Sequence, residues 1–485
     1  MLSIVKALIT KLEHQGIAYC HWKSNIALKD ALSGIGDLDI LVDRRDAQRF
    51  ESVLSALNFK RAREILPINY PAIHHFYGLD IATGQLVHLH IYYRLITGES
   101  LLKNYCLPLE EVLIHKTINI EGVPIPIKGA ELIVFVLRMM VKHAAILEYL
   151  LLKCSGEILK KELDYLFDEE AQKQYPLLLQ DYLPSIDIHL FDKCLDCLQQ
   201  EAPFFKFFWL SIQLRQQLKL FNRLSPIAEW LFRGKLFIQR VLWRLFGSGK
   251  SKQLTSGGAI VAFVGAEATG KSTLVKNTTS WLGSVFHITS VHLGKPPSSL
   301  LSFLPNLALP LLRGVAAEDR MSTVVTDTTK KAKSVSLLYA VRSVLVAWDR
   351  RKLAIKIRRQ AANGQLVICD RYPSTTLGAM DSPRLTIPEA SGGKNQILKY
   401  LANLEHCIYS QIPPADIVVR LSVPVEVAIE RNQQRQKQEP ADYVVSRHSN
   451  RIVPLYPKSN TIEVSSNQTP EKTIADVRRL LWEIL

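Results

Sequence analysis

The stretch AIVAFVGAEATGKSTLVKNTTSWLG, residues 259–283, decides the fold of the C-terminal half of this 485-residue chain. It begins with a continuous apolar run, which is typical of a parallel strand covered on both faces. A turn with the spacing GxxxxGK[ST] follows from Gly265 to Ser272, and the residues after it predict a short helix that ends at Gly283. In this order, backbone N–H groups and a helix N-terminus converge on a phosphate group. The stretch therefore predicts a phosphate-binding loop.

We expect the loop to bind the phosphates of ATP, with Lys271 bridging them and Ser272 binding Mg²⁺. The predicted donor site comprises Gly265, Ala266, Glu267, Ala268, Thr269, Gly270, Lys271, Ser272 and Thr273. An earlier GKS at Gly249–Ser251 has Arg244 where the leading glycine belongs, and it follows apolar residues at helical spacing. We therefore interpret that copy as part of a basic linker.

Two later strands extend the predicted site. The apolar run LVICD delivers Asp370 and Arg371 to the carboxyl edge of the sheet, where ligands gather in doubly wound folds. Asp370 could bind magnesium and help to accept a proton, and Arg371 could bind an anionic acceptor through two parallel hydrogen bonds. After the strand DIVVRLSV, Arg431 and Arg435 are expected one turn apart on one helix face, where they could close over the transferring phosphoryl group. Structural ion pairs or a solvated helix face would explain the same residues without catalysis.

These motifs together resemble the thymidylate kinase family of P-loop nucleotide kinases. The resemblance covers residues 258–485 and rests on GAEATGKST, DRYPS, IPPADIVVRLSVPVEVAIERNQQR and the final strand and helix. It implies that Lys271, Asp370, Arg371, Arg431 and Arg435 are catalytic. It also implies that Arg350, Arg371 and Tyr372 contact the acceptor.

The acceptor is left open by one departure from the family. Thymidylate kinases usually carry Arg-Glu-Pro-Gly after the second strand, whereas this chain has HLGKPPSS at residues 292–299. That segment looks more like a bacterial offshoot associated with surface-polysaccharide genes. The expected acceptor is therefore a nucleoside monophosphate or another small molecule, such as a sugar or glycan precursor.

In the N-terminal half, CHWKSNIALKDALSGIGDLDILVD (residues 20–43) presents Asp37 and Asp39 on one face of a strand. Paired carboxylates suggest a magnesium site between them. Lys23 and Ser24 come before a helical segment and could hold a phosphate group. This arrangement resembles the nucleotidyltransferase fold of the DNA polymerase beta type, which implies a second nucleoside triphosphate here. The resemblance also puts a third acid where this chain has His88, so the domain either transfers nucleotidyl groups or is degenerate and only binds a nucleotide or substrate. His88 and His90 could instead be histidines of the core.

The expected fold class is α/β. We predict an α+β nucleotidyltransferase-like domain at 1–128, a helical domain at 129–245, a linker at 246–257 and a doubly wound parallel-sheet P-loop kinase domain at 258–485. The N-terminus acquires charges too early for a secretory signal, and residues 300–312, the most apolar run, are interrupted by Pro305 and Pro310. A cytoplasmic location is expected.

The net charge of +15 predicts attraction to polyanions. Residues 201–252 hold ten lysines and arginines against two glutamates, interleaved with Phe and Trp. They could form a helix that contacts a membrane surface or polyanion, or a helix packed on the bundle with a solvated basic face. A homodimer is a further expectation.

Three function classes follow from these features. The first is ATP-dependent phosphoryl transfer to a small acceptor. The second is a nucleotide-sensing or polyanion-binding regulator that has no phosphoryl acceptor. The third is a kinase and nucleotidyltransferase that processes nucleic-acid ends, which would bind nucleic acid with a steep dependence on salt.

Overall fold

The structure is a computed structural model, and it describes residues 1–65, 70–99, 102–246, 252–297, 337–377, 379–386, 393–435, 438–449 and 453–485. The first GKS copy, residues 300–312 and the last part of HLGKPPSS lie outside the described residues. The chain divides into two compact units, Met1–Ser248 and Gly249–Leu485. The predicted limit at residues 128/129 therefore lies inside the first unit.

Up to residue 127 the first unit mixes helices with strands, and its described residues after that form helices. The strands are β1 (Tyr19–His21), β2 (Asp37–Val42), β3 (Lys60–Glu64), β4 (Ile73–Asp80), β5 (Gln85–Tyr92), β6 (Ile96–Thr97), β7 (Tyr105–Cys106), β8 (Thr117–Ile120) and β9 (Val123–Pro126). The helices are α1 (Ser3–His14), α2 (Leu28–Leu32), α3 (Ala47–Ala56), α4 (Glu110–His115), α5 (Lys128–Lys142), α6 (Ile146–Cys154), α7 (Gly156–Leu166), α8 (Glu169–Tyr182), α9 (Ile188–Gln199), α10 (Phe204–Gln217) and α11 (Pro226–Phe246).

Strands β1 to β5 of the first unit lie in the order β1-β2-β5-β4-β3, and β2 and β5 run parallel. One cluster of buried side chains runs from Cys20 and Trp22 near the sheet through helix α5 to Leu218. The predicted α+β and helical segments therefore share a hydrophobic core.

The second unit alternates strands and helices along its described residues. Its strands are β10 (Lys252–Leu254), β11 (Ile260–Gly265), β12 (Ile288–His292), β13 (Leu366–Asp370), β14 (Ile417–Ser422) and β15 (Asn460–Ser465). Its helices are α12 (Lys271–Gly283), α13 (Leu337–Ala362), α14 (Gly393–Ser410), α15 (Val425–Gln433), α16 (Ala441–Ser449) and α17 (Pro470–Ile484).

Five of these strands form a parallel sheet in the order β12-β13-β11-β14-β15. The side chains of β11 alternate between two buried layers. Ile260 and Ala262 pack with α13, whereas Val261 and Phe263 pack with α12 and α17. Helices thus cover both faces, and the predicted doubly wound parallel sheet is confirmed. The strand order reverses beside β11, which is where ligands bind in such sheets.

Candidate active site at the phosphate-binding loop

The predicted strand–loop–helix unit is present, with the loop between the end of β11 and the start of α12. Gly265 has a φ of 150° and Gly270 a φ of 86°, so both occupy backbone conformations that favour glycine. A Cβ atom on Gly265 would lie 2.6 Å from the carbonyl oxygen of Leu421 on β14. The leading glycine of the motif is therefore required by the close approach of two strands.

Lys271, the first residue of α12, is folded back into the loop. Its Nζ donates to the carbonyl oxygen of Ala266 and lies 3.4 Å from Oγ1 of Thr269. Only 7% of Lys271 is exposed. Burial, and then the nearby Arg371 guanidinium, lower its pKa to about 8. The ammonium group thus sits inside the loop, and among the described residues no ion pair joins it to a carboxylate.

Asp370 meets the loop from the neighbouring strand, as predicted. Strands β11 and β13 pair in parallel with Phe263 opposite Asp370, and Ser272 Oγ lies 3.3 Å from Asp370 Oδ2. The other carboxylate oxygen, Oδ1, is buried without a hydrogen-bond partner. A hydroxyl and a carboxylate with one unused oxygen are the hard oxygen ligands that Mg²⁺ prefers, so these residues fit the ion.

Arg371 is shared between carboxylates on two sides. Its nitrogens lie 3.5 Å from Asp381 and 3.6 Å from Glu267 of the loop. His448 donates from Nε2 to the carbonyl oxygen of Glu267 at 2.8 Å. Neither Asp381 nor His448 was predicted, because neither belongs to a motif that the sequence displays.

A cavity of about 250 Å³ opens beside the loop. Its lining includes Gly265, Arg371, Asp381, Arg447 and Tyr456, so it combines loop backbone with charged and aromatic side chains. The space is large enough for a small acceptor or part of a nucleotide.

The predicted acceptor contacts of Arg350 and Tyr372 stay predictions, because the structure shows both side chains bonded to other parts of the protein. Arg350 is 1% exposed, and its guanidinium donates to the carbonyl oxygens of Leu293 and Gly294, to Tyr409 and to Asp381. Tyr372 is also buried, and its hydroxyl donates to the carbonyl oxygen of Pro413 at 2.7 Å. In this arrangement both side chains hold neighbouring segments in place.

The prediction that Arg431 and Arg435 lie one turn apart on one helix face was wrong. Helix α15 ends at Gln433, so Arg435 lies beyond it. Arg431 donates to the carbonyl oxygen of Ser466 at 2.8 Å. Arg435 is exposed and close enough to Lys271 to lower its pKa, after larger effects from burial and other groups. Of these two arginines, Arg435 is therefore the one that lies near the phosphate-binding loop.

In the first unit, Asp37 and Asp39 share one face of β2, as predicted. Strand β5 places His88 opposite Asp37 and His90 opposite Asp39. His88 Nδ1 lies 2.6 Å from Asp37, and Asp39 lies 3.1 Å from His90 and 2.7 Å from the Nζ of Lys23. Each carboxylate thus has a nitrogen-bearing side chain as its partner.

The positive charge beside Asp39 comes from Lys23, whereas the sequence predicted a magnesium ion at this place. Burial would raise the pKa of Asp39, but Lys23 and His90 hold it far below its usual range. Ser24 has a φ of 57° and precedes a short 3₁₀ turn rather than a long helix. Across the part of the chain that is described, no three side chains of His, Cys, Asp or Glu form a metal-binding group. Magnesium binding by Asp37 and Asp39 stays a prediction that this arrangement does not require.

The basic zone at 201–252 includes helices α10 and α11. Helix α11 buries Leu236, but seven apolar residues on its other side are exposed. They are Ile227, Trp230, Leu231, Ile238, Val241, Leu242 and Leu245. Most of this apolar face is therefore not packed on the bundle. Within the described ranges, no helix combines the length and the apolar character that crossing a bilayer requires.

Comparison with known proteins gives two kinds of similarity. No family model matches the chain. The solved structure of thymidylate kinase from Candida albicans is 16% identical, covers 47% of this chain and 91% of its own, and has a TM-score of 0.29. Nothing further follows from a likeness at that score.

Two curated relatives carry the name "Uncharacterized ATP-binding protein YghR", from Escherichia coli strain K12 and from E. coli O6:H1 strain CFT073. Each is 31% identical over 182 residues, which are 36% of this chain and 68% of the relative. At this identity and coverage, the chain belongs to the family of YghR.

Proposed function

We propose that the second unit transfers a phosphoryl group from ATP to a small acceptor. The observation that carries this proposal is the convergence of Lys271, Ser272 and Asp370 at the point where the strand order reverses. The name of the YghR relatives, which describes them as ATP-binding, agrees with the first half of the proposal.

Binding of ATP would use the loop backbone and Lys271. The N-terminus of α12 and the N–H groups of the loop provide a partial positive charge. Lys271 would exchange the Ala266 carbonyl and the Thr269 hydroxyl for phosphate oxygens, which are stronger acceptors. Magnesium, held by Ser272 and Asp370, would neutralise charge that develops on the phosphoryl group. Arg435 could add a further positive charge from beyond the end of α15.

Arg371 on the acceptor side is already paired with carboxylates. Asp381 and Glu267 compensate its charge, and Asp381 also binds Arg350 at 2.9 Å. A phosphate-bearing acceptor would have to displace these carboxylates from Arg371, whereas a hydroxyl group can donate to them. Arg420 and Arg447 also line the cavity, so a nucleoside monophosphate and a sugar-like acceptor both stay open.

Turnover tests the proposal. Purified protein with Mg-ATP is incubated with nucleoside monophosphates, sugars and glycolipid precursors, and ADP and phosphorylated product are quantified by mass spectrometry. We expect ADP in equal amount to one new product, and loss of both in Lys271→Ala. Slow ATP hydrolysis with every acceptor would instead indicate the regulatory class, and acceptor activity confined to nucleic-acid ends would indicate the third class.

A second candidate property is contact with an anionic membrane surface through α11, and a specific observation favours it. Seven exposed apolar side chains of this helix lie on the side opposite Leu236, and the helix also carries Lys235, Arg240 and Arg244. An apolar face next to basic residues is the arrangement that binds the interface of an anionic bilayer. A homodimer, a second nucleoside triphosphate and a cytoplasmic location stay predictions.

A further inference from the structure

Three cationic side chains of the first unit gather around two aromatic rings at the carboxyl ends of β1 and β5. The Nζ of Lys23 lies 5.1 Å from the centre of the Trp22 ring and 5.6 Å from that of Tyr92. The Nζ of Lys103 lies 5.6 Å from the same Tyr92 ring. The Arg138 guanidinium lies 5.3 Å from the Trp22 ring. The rings are buried, so the three cations border an apolar surface.

The positive charge in this cluster exceeds its nearest negative charge. Asp39 binds Lys23 at 2.7 Å, but the ion pairs of the described residues include none that involves Lys103 or Arg138. Burial, and then repulsion from Lys23 and Arg138, lower the pKa of Lys103 to about 8, although Asp39 acts in the opposite direction. The aromatic rings compensate only part of this charge, because cation–π contacts are weaker than charge pairs.

Three other acids lie near the cluster. Asp37 interacts electrostatically with Lys23. Glu131 and Glu162 interact electrostatically with Arg138. Burial raises the pKa of Glu131 to about 7 and also raises the pKa of Glu162, which disfavours the charged form of both carboxyl groups. Lys142, one turn after Arg138 on α5, adds positive charge instead.

A cluster that leaves two half-buried cations without carboxylate partners is costly unless an anion joins it. We propose that Lys103 and Arg138, together with Lys23, bind the phosphate group of a small molecule without a metal ion. Two unpaired cations and a third that is shared with Asp39 match the charge of a phosphate dianion. The planar guanidinium of Arg138 can bind two phosphate oxygens at once. This site lies in the first unit and does not depend on the kinase reaction proposed for the second.

The test uses the full chain with Lys271→Ala, so that the loop of the second unit does not contribute. Binding of inorganic phosphate, a nucleoside monophosphate and a sugar phosphate is measured by calorimetry in EDTA at low salt. We expect one site per chain with at least one of these probes. Adding Lys103→Met should weaken it by about tenfold or more, because a hydrogen bond to a charged group is lost. Lys160→Met, which changes an exposed lysine on α7, should leave binding unchanged.

Thermal melting separates a binding site from a structural role. If Lys103 serves a ligand, Lys103→Met should raise the melting temperature of the ligand-free protein, because it removes repulsion from Lys23 and Arg138. If Lys103 is structural, that temperature should fall and phosphate binding should not change, which would overturn the proposal. Absence of binding by the Lys271→Ala protein, or binding that disappears in EDTA, would overturn it without any variant of the cluster. If the Lys103→Met protein does not fold, Arg138→Gln replaces it, and we expect the same loss of phosphate affinity.

Discussion

The hydrogen-bond acceptors of Lys271 are neutral groups, which phosphate oxygens can replace. Its ammonium group is buried, and a backbone carbonyl and a hydroxyl are its hydrogen-bond acceptors. Sequence spacing predicted this lysine because the loop motif fixes both its place at the start of a helix and its contact with the loop. The depressed pKa could not be read from the motif, since it arises from burial and from Arg371, which follows another strand, β13.

This pKa gives a prediction for the pH dependence of ATP binding. The pKa of Lys271 is about 8 in the free protein, and phosphate oxygens should raise it. Binding at pH 8 should therefore take up roughly half a proton, whereas binding at pH 6.5, where Lys271 is already protonated, should take up almost none. Calorimetry in buffers of different ionisation enthalpy measures this uptake. Equal enthalpies in all buffers at pH 8, once the titration of ATP itself is subtracted, would contradict the assignment.

Arg350 shows where prediction from residue type stops. The sequence predicts that Arg350 contacts the acceptor. In the structure its guanidinium pairs with Asp381, which is 31 residues further along the chain. Asp381 has a φ of 58° in a segment without regular structure, and no periodic pattern marks it. Tyr372 shows the same limit, because its hydroxyl partner is a backbone carbonyl that the sequence cannot reveal.

At the scale of elements, the loop after β11 depends on glycine at its first position. Gly265→Ala would bring a Cβ atom within 2.6 Å of the Leu421 carbonyl oxygen, so β14 or the loop must move. We expect this change to weaken Mg-ATP binding by about tenfold or more, because the N–H groups of the displaced loop no longer point at the same phosphate. Binding is measured by calorimetry.

Gly283→Ala is the matched control for this change. Gly283 ends α12, and a Cβ atom there would meet nothing within 4 Å. Alanine also has the higher helix propensity, so ATP binding should be retained and the melting temperature should not fall. Unaltered ATP binding by Gly265→Ala would show that the close approach to β14 is not needed.

The end of α15 explains why the predicted arginine pair does not form. Asn432 binds Glu439 twice, with its Oδ1 accepting from the backbone N–H and its Nδ2 donating to the carbonyl oxygen. These bonds turn the chain after Gln433, before Arg435 can complete another turn. The sequence ERNQQRQKQE has no glycine or proline that would have indicated this end.

Helix α11 gives a prediction for lipid binding. The full chain should bind vesicles of phosphatidylglycerol at low salt, and Trp230→Ser combined with Leu242→Ser should weaken that binding by about tenfold, because less apolar area enters the interface. Leu177→Ser, which changes an exposed leucine on α8, should have little effect. Cosedimentation measures the bound fraction. Equal binding by wild type and the double variant would exclude α11 as the contact.

At the scale of the molecule, the two units differ in how much the sequence revealed. Alternating strands and helices predicted the parallel sheet of the second unit, and in the structure the strand before the loop lies at its centre. In the first unit, periodicity predicted strands and helices but not their packing. Trp22 beside the sheet and Phe135 on α5 belong to one core, although 113 residues separate them in the numbering. Lys103 and Arg138 were missed for the same reason, since they meet Lys23 only in the folded unit.

Binding of Mg-ATP by the full chain tests the central claim most directly. Calorimetry should detect one strong site in the wild-type protein that is lost in Lys271→Ala and kept in Lys276→Ala, which changes an exposed lysine on the same helix. We expect this difference because Lys271 reaches into the loop, whereas Lys276 is exposed. Equally strong binding of Mg-ATP by the Lys271→Ala protein would contradict the account.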